Sequence, residues 1–134
     1  MQTFLPYPNF AASAWVMDRA RLGKQRLEAK QILSALRYSG GWRNHPAVKM
    51  WRGHEAALAL YHDVCIREWI RRGYKNTMEE ILPPPELVVM PSWLGRGDFH
   101  ASHRAALLAK DPDWYGQLGW SEPPVVAYVW PTAV

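Results

Sequence analysis

Apolar residues recur at helical spacing along much of the chain. Leu22, Ala29, Ile32, Leu33 and Leu36 fall on one stripe of a 3.6-residue wheel, predicting a helix from about Arg19 to Tyr38. Asp18 is suited to cap its start, and Ser39-Gly40-Gly41 to end it with a left-handed glycine. Gly23 weakens it locally, by about 1 kcal/mol against Ala. Leu58, Tyr61, Cys65 and Trp69 share a second face, with Ile66 and Ile70 beside it, which predicts a long helix from about His54 to Arg72. Arg71-Arg72-Gly73 suits its C-terminus, with cations at the negative dipole end and then a glycine stop. A third main helix is expected to start at Asp98 or Ser102 and to close before Asp111-Pro112.

The remaining pieces are short. Met1 to Pro8 is apolar and punctuated by proline, so it reads as extended. Asn9 is placed to cap a helix over Phe10–Val16, and Pro46 to open a helical turn through Met50 or Trp51. Asn76 is expected to cap a short helix ending near Leu82, before the stiff Pro83-Pro84-Pro85 spacer. Val125 to Val129 has strand character, but a single strand has nothing to pair with. The expected fold is all-α: one compact domain over residues 1–134, with three main helices, short extra helices and long ordered loops. At 134 residues such a chain can bury a core without staples.

Composition adds three constraints. Eight Trp, six Tyr and three Phe supply much of that core. The single cysteine, Cys65, excludes an internal disulfide and a cysteine-based zinc cluster, and its helix position marks it as a core thiol. There is no signal peptide and no apolar run of about 18 residues, so a cytoplasmic protein without a membrane partner is expected.

Charge is distributed unevenly. The net charge is +4, yet residues 53–134 carry seven Lys/Arg against ten Asp/Glu. From Arg19 to Arg52 stand nine basic residues, Arg19, Arg21, Lys24, Arg26, Lys30, Arg37, Arg43, Lys49 and Arg52, and one acidic residue, Glu28. Such a segment suits a polyanion such as DNA. A solvated carboxylate there would repel phosphate, whereas one engaged in chemistry inside the complex has a reason to be present. Arg21, Lys24, Gln31 and Ala35 surround Glu28 on the wheel, and Ala35 leaves room beside it. Arg26, Lys30 and Arg37 fall on the other edge. The structural alternative is an ordinary helix ion pair between Lys24 and Glu28, in the less favourable order.

Other chemistry has little support. His45, His54, His62, His100 and His103 form no HExxH motif and have no paired carboxylates, so no metal is expected. No glycine-rich phosphate loop or GxSxG elbow occurs. Trp114-Tyr115, following a helix that carries His103, Arg104 and Lys110, combines aromatics with cations, suited to stacking on bases or to burial at a helix exit.

These residues fit a known pattern. The run Glu28-Ala-Lys-Gln-Ile-Leu-Ser-Ala-Leu-Arg37 resembles the catalytic-helix segment of the pyrimidine-dimer DNA glycosylases of the bacteriophage endonuclease V type. Arg71-Arg72-Gly73-Tyr74 is similar to that family's second-helix end, and Ser102-His-Arg with Pro112-Asp-Trp-Tyr115 to its third helix and aromatic tail. Arg21-Leu-Gly-Lys-Gln-Arg-Leu-Glu28 resembles the bacterial branch. The resemblance implies a helical domain without metal or organic cofactor that acts, as a monomer, on double-stranded damaged DNA. It also implies base removal followed by nicking at the abasic site, with an N-terminal α-amine as nucleophile and a helix-borne Glu as its partner. By position these are Met1 and Glu28. Gln2 is too large for the usual removal of Met1, and Leu27 stands where the phage type has a DNA-contacting Arg. The candidate DNA contacts are Gln2, Arg21, Lys24, Gln25, Arg26, Gln31, His45, His103, Arg104, Trp114 and Tyr115. Two alternatives use the same residues: a non-enzymatic DNA-binding module built on the basic 19–52 segment, and a nucleic-acid hydrolase using Glu28 with His45 or His54.

Overall fold

The computed structural model describes residues 1–38 and 44–131. Six helices lie among them: α1 (Phe10–Val16), α2 (Arg19–Arg37), α3 (Pro46–Lys49), α4 (Glu55–Arg71), α5 (Gly97–Lys110) and α6 (Pro112–Tyr115). No strand occurs among the described residues, so the fold is all-α as expected. None of the helices is long and apolar enough to cross a membrane.

Predicted caps account for the starts of α1 and α2. The Asn9 side chain accepts the Ala12 N–H at 2.9 Å and opens α1. Asp18 caps α2 and is itself held by the buried Tyr115, whose hydroxyl donates to the Asp18 carboxylate and accepts the Asp18 N–H. α2 buries Leu22, Gln25, Ala29, Ile32 and Leu33, with Leu36 half-buried. It packs along α4, which contributes Leu58, Tyr61, Cys65 and Ile66 to the core and leaves Ile70 exposed. Gly23 sits at this crossing. A Cβ there would lie 3.1 Å from the Trp69 ring, so the residue that weakens the isolated helix permits its close packing. α4 ends at Gly73 with φ +89°. Glu68 pairs with Arg71 and Arg72, and Arg72 also donates to the Ala14 and Trp15 carbonyls, fastening the end of α1 to the end of α4.

Two expectations change. α5 begins at Gly97, before Asp98 and well before Ser102, whose hydroxyl instead donates to the Phe99 carbonyl. The Asn76-capped helix does not form. Asn76 accepts from Arg26 and from the Met78 N–H, while the buried Asp63 carboxylate takes the Ile81 and Leu82 N–H groups at 2.8 and 2.7 Å. Those amides are satisfied by a side chain of α4 and have no need of a helix, and Leu82 adopts φ +53°. Residues 125–129 run extended, but their amides bond to α5, Val125 to the Ala105 carbonyl and Val129 to the Ser102 hydroxyl. The Ser39-Gly40-Gly41 stop lies outside the described residues.

The first segment runs through the core without regular structure, so side chains must satisfy its backbone. Trp51 donates to the Thr3 hydroxyl at 3.0 Å. The Phe4 N–H donates to Gln25 Oε1 at 2.8 Å, and the Phe4 carbonyl lies 2.7 Å from the Tyr61 hydroxyl. The Leu5 N–H donates to His103 Nδ1 at 2.9 Å, and His100 Nδ1 donates to the Leu5 carbonyl at 2.8 Å. Arg104 donates to the Pro6 carbonyl at 2.8 Å. Helices α2, α4 and α5 thus hold one stretch of chain between them.

Tyr61 tests this arrangement. Its hydroxyl proton is shared between the Phe4 carbonyl and Gln25 Oε1, both at 2.7 Å. The substitution Tyr61→Phe keeps the ring and strands those acceptors. Urea denaturation is expected to show a loss of about 1–3 kcal/mol.

Candidate functional site

α2 carries Glu28 one turn past Gln25, on the helix face nearest the first residues. The Gln25 amide uses all four of its hydrogen-bonding positions. Oε1 accepts from Phe4 N–H and Tyr61, and Nε2 donates to the Gln2 carbonyl at 3.0 Å and to Glu28 Oε2 at 2.9 Å. One buried amide therefore sets the N-terminal segment and the carboxylate in register.

They meet in a cleft of about 490 Å³ whose wall includes Met1, Gln2, Arg21, Lys24, Gln25, Glu28, Lys110 and Tyr128. Partial burial raises the Glu28 carboxyl above its ordinary range, opposed first by the N-terminal amine, then by Lys24, the Gln25 hydrogen bond and Lys110. The amine's charge also reaches His45, whose imidazole is lowered by burial and then by that charge. Tyr128 is raised, chiefly by burial, with Glu28 adding to the effect and Arg21 opposing it. The cleft thus gathers Arg21, Lys24, Lys110 and the chain's first amine around a single carboxylate.

Of the residues singled out from the sequence, Met1, Gln2, Arg21, Lys24, Gln25 and Glu28 converge here. The others are elsewhere. Arg26 stacks its guanidinium on the Trp69 ring and donates to Asn76, on the far edge of α2. Gln31 is exposed outside the cleft wall. His45 caps α3, its Nδ1 accepting the Ala47 N–H, with its ring edge-on to Trp130. His54 faces the Val89 carbonyl.

Three expected DNA contacts are engaged inside the fold. His103 is fully buried, its Nδ1 accepting from Leu5, and burial pushes the imidazole down to about 3. Arg104 is paired with Glu122 at 3.0 Å and bound to Pro6. Tyr115 is fully buried against Asp18 and Trp120. The Trp114-Tyr115 pair is split, since Trp114 lies on the surface beside Trp15 and donates to the Val16 carbonyl. Gln25 is also buried, and from the cleft wall it holds the Gln2 carbonyl and Glu28.

Two cleft residues with polar side chains were not singled out as site residues. Lys110 closes α5, and Tyr128 lies in the extended tail. Both reach the cleft through tertiary packing across about eighty or more residues, and no local pattern marks them. Cys65 is a buried thiol raised to about 12, as befits a core position. Among the described residues no three His, Cys, Asp or Glu side chains group so as to hold a metal ion.

Comparison with known proteins gives one match. The family described as pyrimidine dimer DNA glycosylase matches residues 1–82, a span that contains Met1, Glu28, Gln25 and Tyr61. No curated protein and no solved structure matches the chain. The matched span exceeds half of the 134 residues and carries most of the cleft wall; the chain belongs to the pyrimidine dimer DNA glycosylase family of DNA repair enzymes.

Proposed function

We propose that this protein removes a damaged pyrimidine from double-stranded DNA and then nicks the strand at the abasic site, using the Met1 α-amine as nucleophile and Glu28 as its partner. The observation that carries this reading is the shared cleft: the first residue and the lone carboxylate of the basic segment line it together, and the amine's charge opposes the burial of that carboxylate. The Arg21 to Glu28 run, which resembles the bacterial branch, supports placing the chain there.

An α-amine ordinarily titrates near 8, against about 10.4 for lysine, so more of it is uncharged near neutrality. The uncharged nitrogen attacks C1′ of the damaged nucleoside. The C1′–N bond breaks, and its electron pair leaves with the base, which takes up a proton. The amine then gives up a proton, the C1′–O4′ bond opens, O4′ is protonated and a protonated imine joins Met1 to C1′. That imine acidifies C2′. Loss of the C2′ proton gives an enamine, which expels the 3′ phosphate by breaking the C3′–O3′ bond. Ionised Glu28 orients the amine, offsets the positive charge that develops on the sugar and accepts protons. Arg21, Lys24 and Lys110 hold phosphates around the opened site. A DNA-binding module without catalysis, or a hydrolase relying on His45 or His54, would not need the amine.

Borohydride trapping on ultraviolet-damaged or abasic duplex separates these readings. A covalent protein–DNA adduct is expected with the free amino terminus and none after acetylation of the amine or addition of an N-terminal tag. Salt-sensitive binding without any adduct would leave only the DNA-binding module. Adding the substitution Lys24→Ala should weaken binding to all duplexes alike and reduce the salt slope by about 1.

Glu28→Gln is expected to abolish cleavage while retaining DNA binding. It also yields a stability signature. Burial raises the folded-state pKa of Glu28 above its unfolded value, so ionising this group opposes folding. Its contribution is fully present below the unfolded pKa and is lost as pH rises through the folded one. The Glu28→Gln variant should therefore melt higher than the parent at neutral pH, and the advantage should vanish as pH falls below about 4. In the parent, kcat/KM should fall with decreasing pH along an acid limb lying above the ordinary Glu value of about 4.3.

A further inference from the structure

Among the described residues, three buried side-chain polar atoms lack a hydrogen-bond partner: Gln2 Nε2, His103 Nε2 and Glu122 Oε1. Only Gln2 belongs to a residue of the cleft wall. The residue is only 6% exposed, and its side-chain oxygen and carbonyl are occupied. Gln2 Oε1 accepts the Thr3 N–H at 2.9 Å, and the Gln2 carbonyl accepts from Gln25 at 3.0 Å. The Thr3 bond also fixes which end of the amide is which, since the reversed assignment would set an NH2 group against an N–H. What remains is a buried NH2 donor with nothing to donate to, on the residue that follows the amine-bearing Met1. Buried donors are nearly always paired, and an unpaired one at a site calls for a ligand acceptor.

We infer that the Gln2 amide is the hydrogen-bond donor for the departing pyrimidine, binding the carbonyl oxygen next to the ring nitrogen that is bonded to C1′. This inference rests on the Schiff-base reading above. When the C1′–N bond breaks, the electron pair taken by the base spreads from that nitrogen onto the adjacent carbonyl oxygen. A donor placed there is worth more as the bond breaks than before it, which is the condition for accelerating the step. The amine attacks the carbon that carries this base, so the residue beside the amine is the one positioned to reach the leaving group. The donor is neutral and leaves the Glu28 charge unopposed by a further fixed cation. Its acceptor is present only while the base is attached. Gln2 therefore acts in base removal and has no acceptor of this kind at an abasic site.

The test compares two duplexes of one sequence, one carrying a cyclobutane pyrimidine dimer and the other a preformed abasic site. Single-turnover rates of base release and abasic-site incision are measured for the full chain, for Gln2→Met and for Gln2→Glu. Both replacements keep a bulky second residue, so Met1 still supplies the amine. Gln2→Glu also keeps an oxygen for the Thr3 N–H while removing the donor, and it decides the matter if Gln2→Met does not fold. The ratio of base release to abasic incision is expected to fall about tenfold or more in each variant that folds, in keeping with the loss of one oxyanion donor. An unchanged ratio overturns the role of Gln2, even with both rates reduced together. Absence of a borohydride-trapped adduct with the parent on the abasic duplex overturns the amine mechanism instead, so the two failures are distinct.

Discussion

The structure depends on one stretch of irregular backbone held inside a helical protein. Residues 2 to 6 have no ladder or helix to satisfy their amides and carbonyls. Gln25, Tyr61, His100, His103 and Arg104 do so from three different helices. Each of these polar side chains would be costly in the interior alone, and each is matched by a backbone group that would be equally costly. Removing one partner leaves the other unpaired. That reciprocity explains why a fold of this size buries so many polar side chains and why the first residues hold a defined position. It also makes the site and the core a single construction, since Gln25 serves both at once.

The cleft is organised around an electrostatic competition. Partial burial disfavours the charged form of Glu28, while the amine, Lys24, Gln25 and Lys110 favour it. Burial prevails, and the carboxyl is raised. A carboxyl raised in this way gives up some stability when it ionises, a compromise common at reactive sites. The nearby cations serve phosphate and carboxylate alike. The same charges that would gather DNA also keep this one acid usable.

Much of this was legible from local pattern. α1, α2 and α4 follow from apolar spacing bounded by Asn9, Asp18 and Gly73, because capping and periodicity are properties of neighbouring residues. Glu28 stood out because it is the one acid in a long basic run, and it lines the cleft beside Met1. Other residues are ambiguous in sequence because chemistry and architecture use the same side chains. A histidine, an arginine and a tyrosine near an aromatic tail suit DNA, but His103, Arg104 and Tyr115 serve the buried segment, Glu122 and Asp18. Lys110 and Tyr128 arrive from far along the chain, where only tertiary packing brings them to Glu28. The stretch from Asn76 to Leu82 is not helical, and Asp63, distant in sequence, takes its last two amides.

The anchoring of Leu5 bears on the order in which the molecule can come into being. Its partners His100 and His103 lie 95 and 98 residues further on. Residues 2 to 4 can meet Gln25, Trp51 and Tyr61 once α2 and α4 are in place, yet Leu5 lacks these histidines until α5 has been made. Closing so long a loop late in assembly slows folding, and the cleft matures only when the last helices dock. The matched family span stops at residue 82, short of those histidines. The first part of the polypeptide carries most of the cleft wall, and the later part supplies the histidines that anchor Leu5.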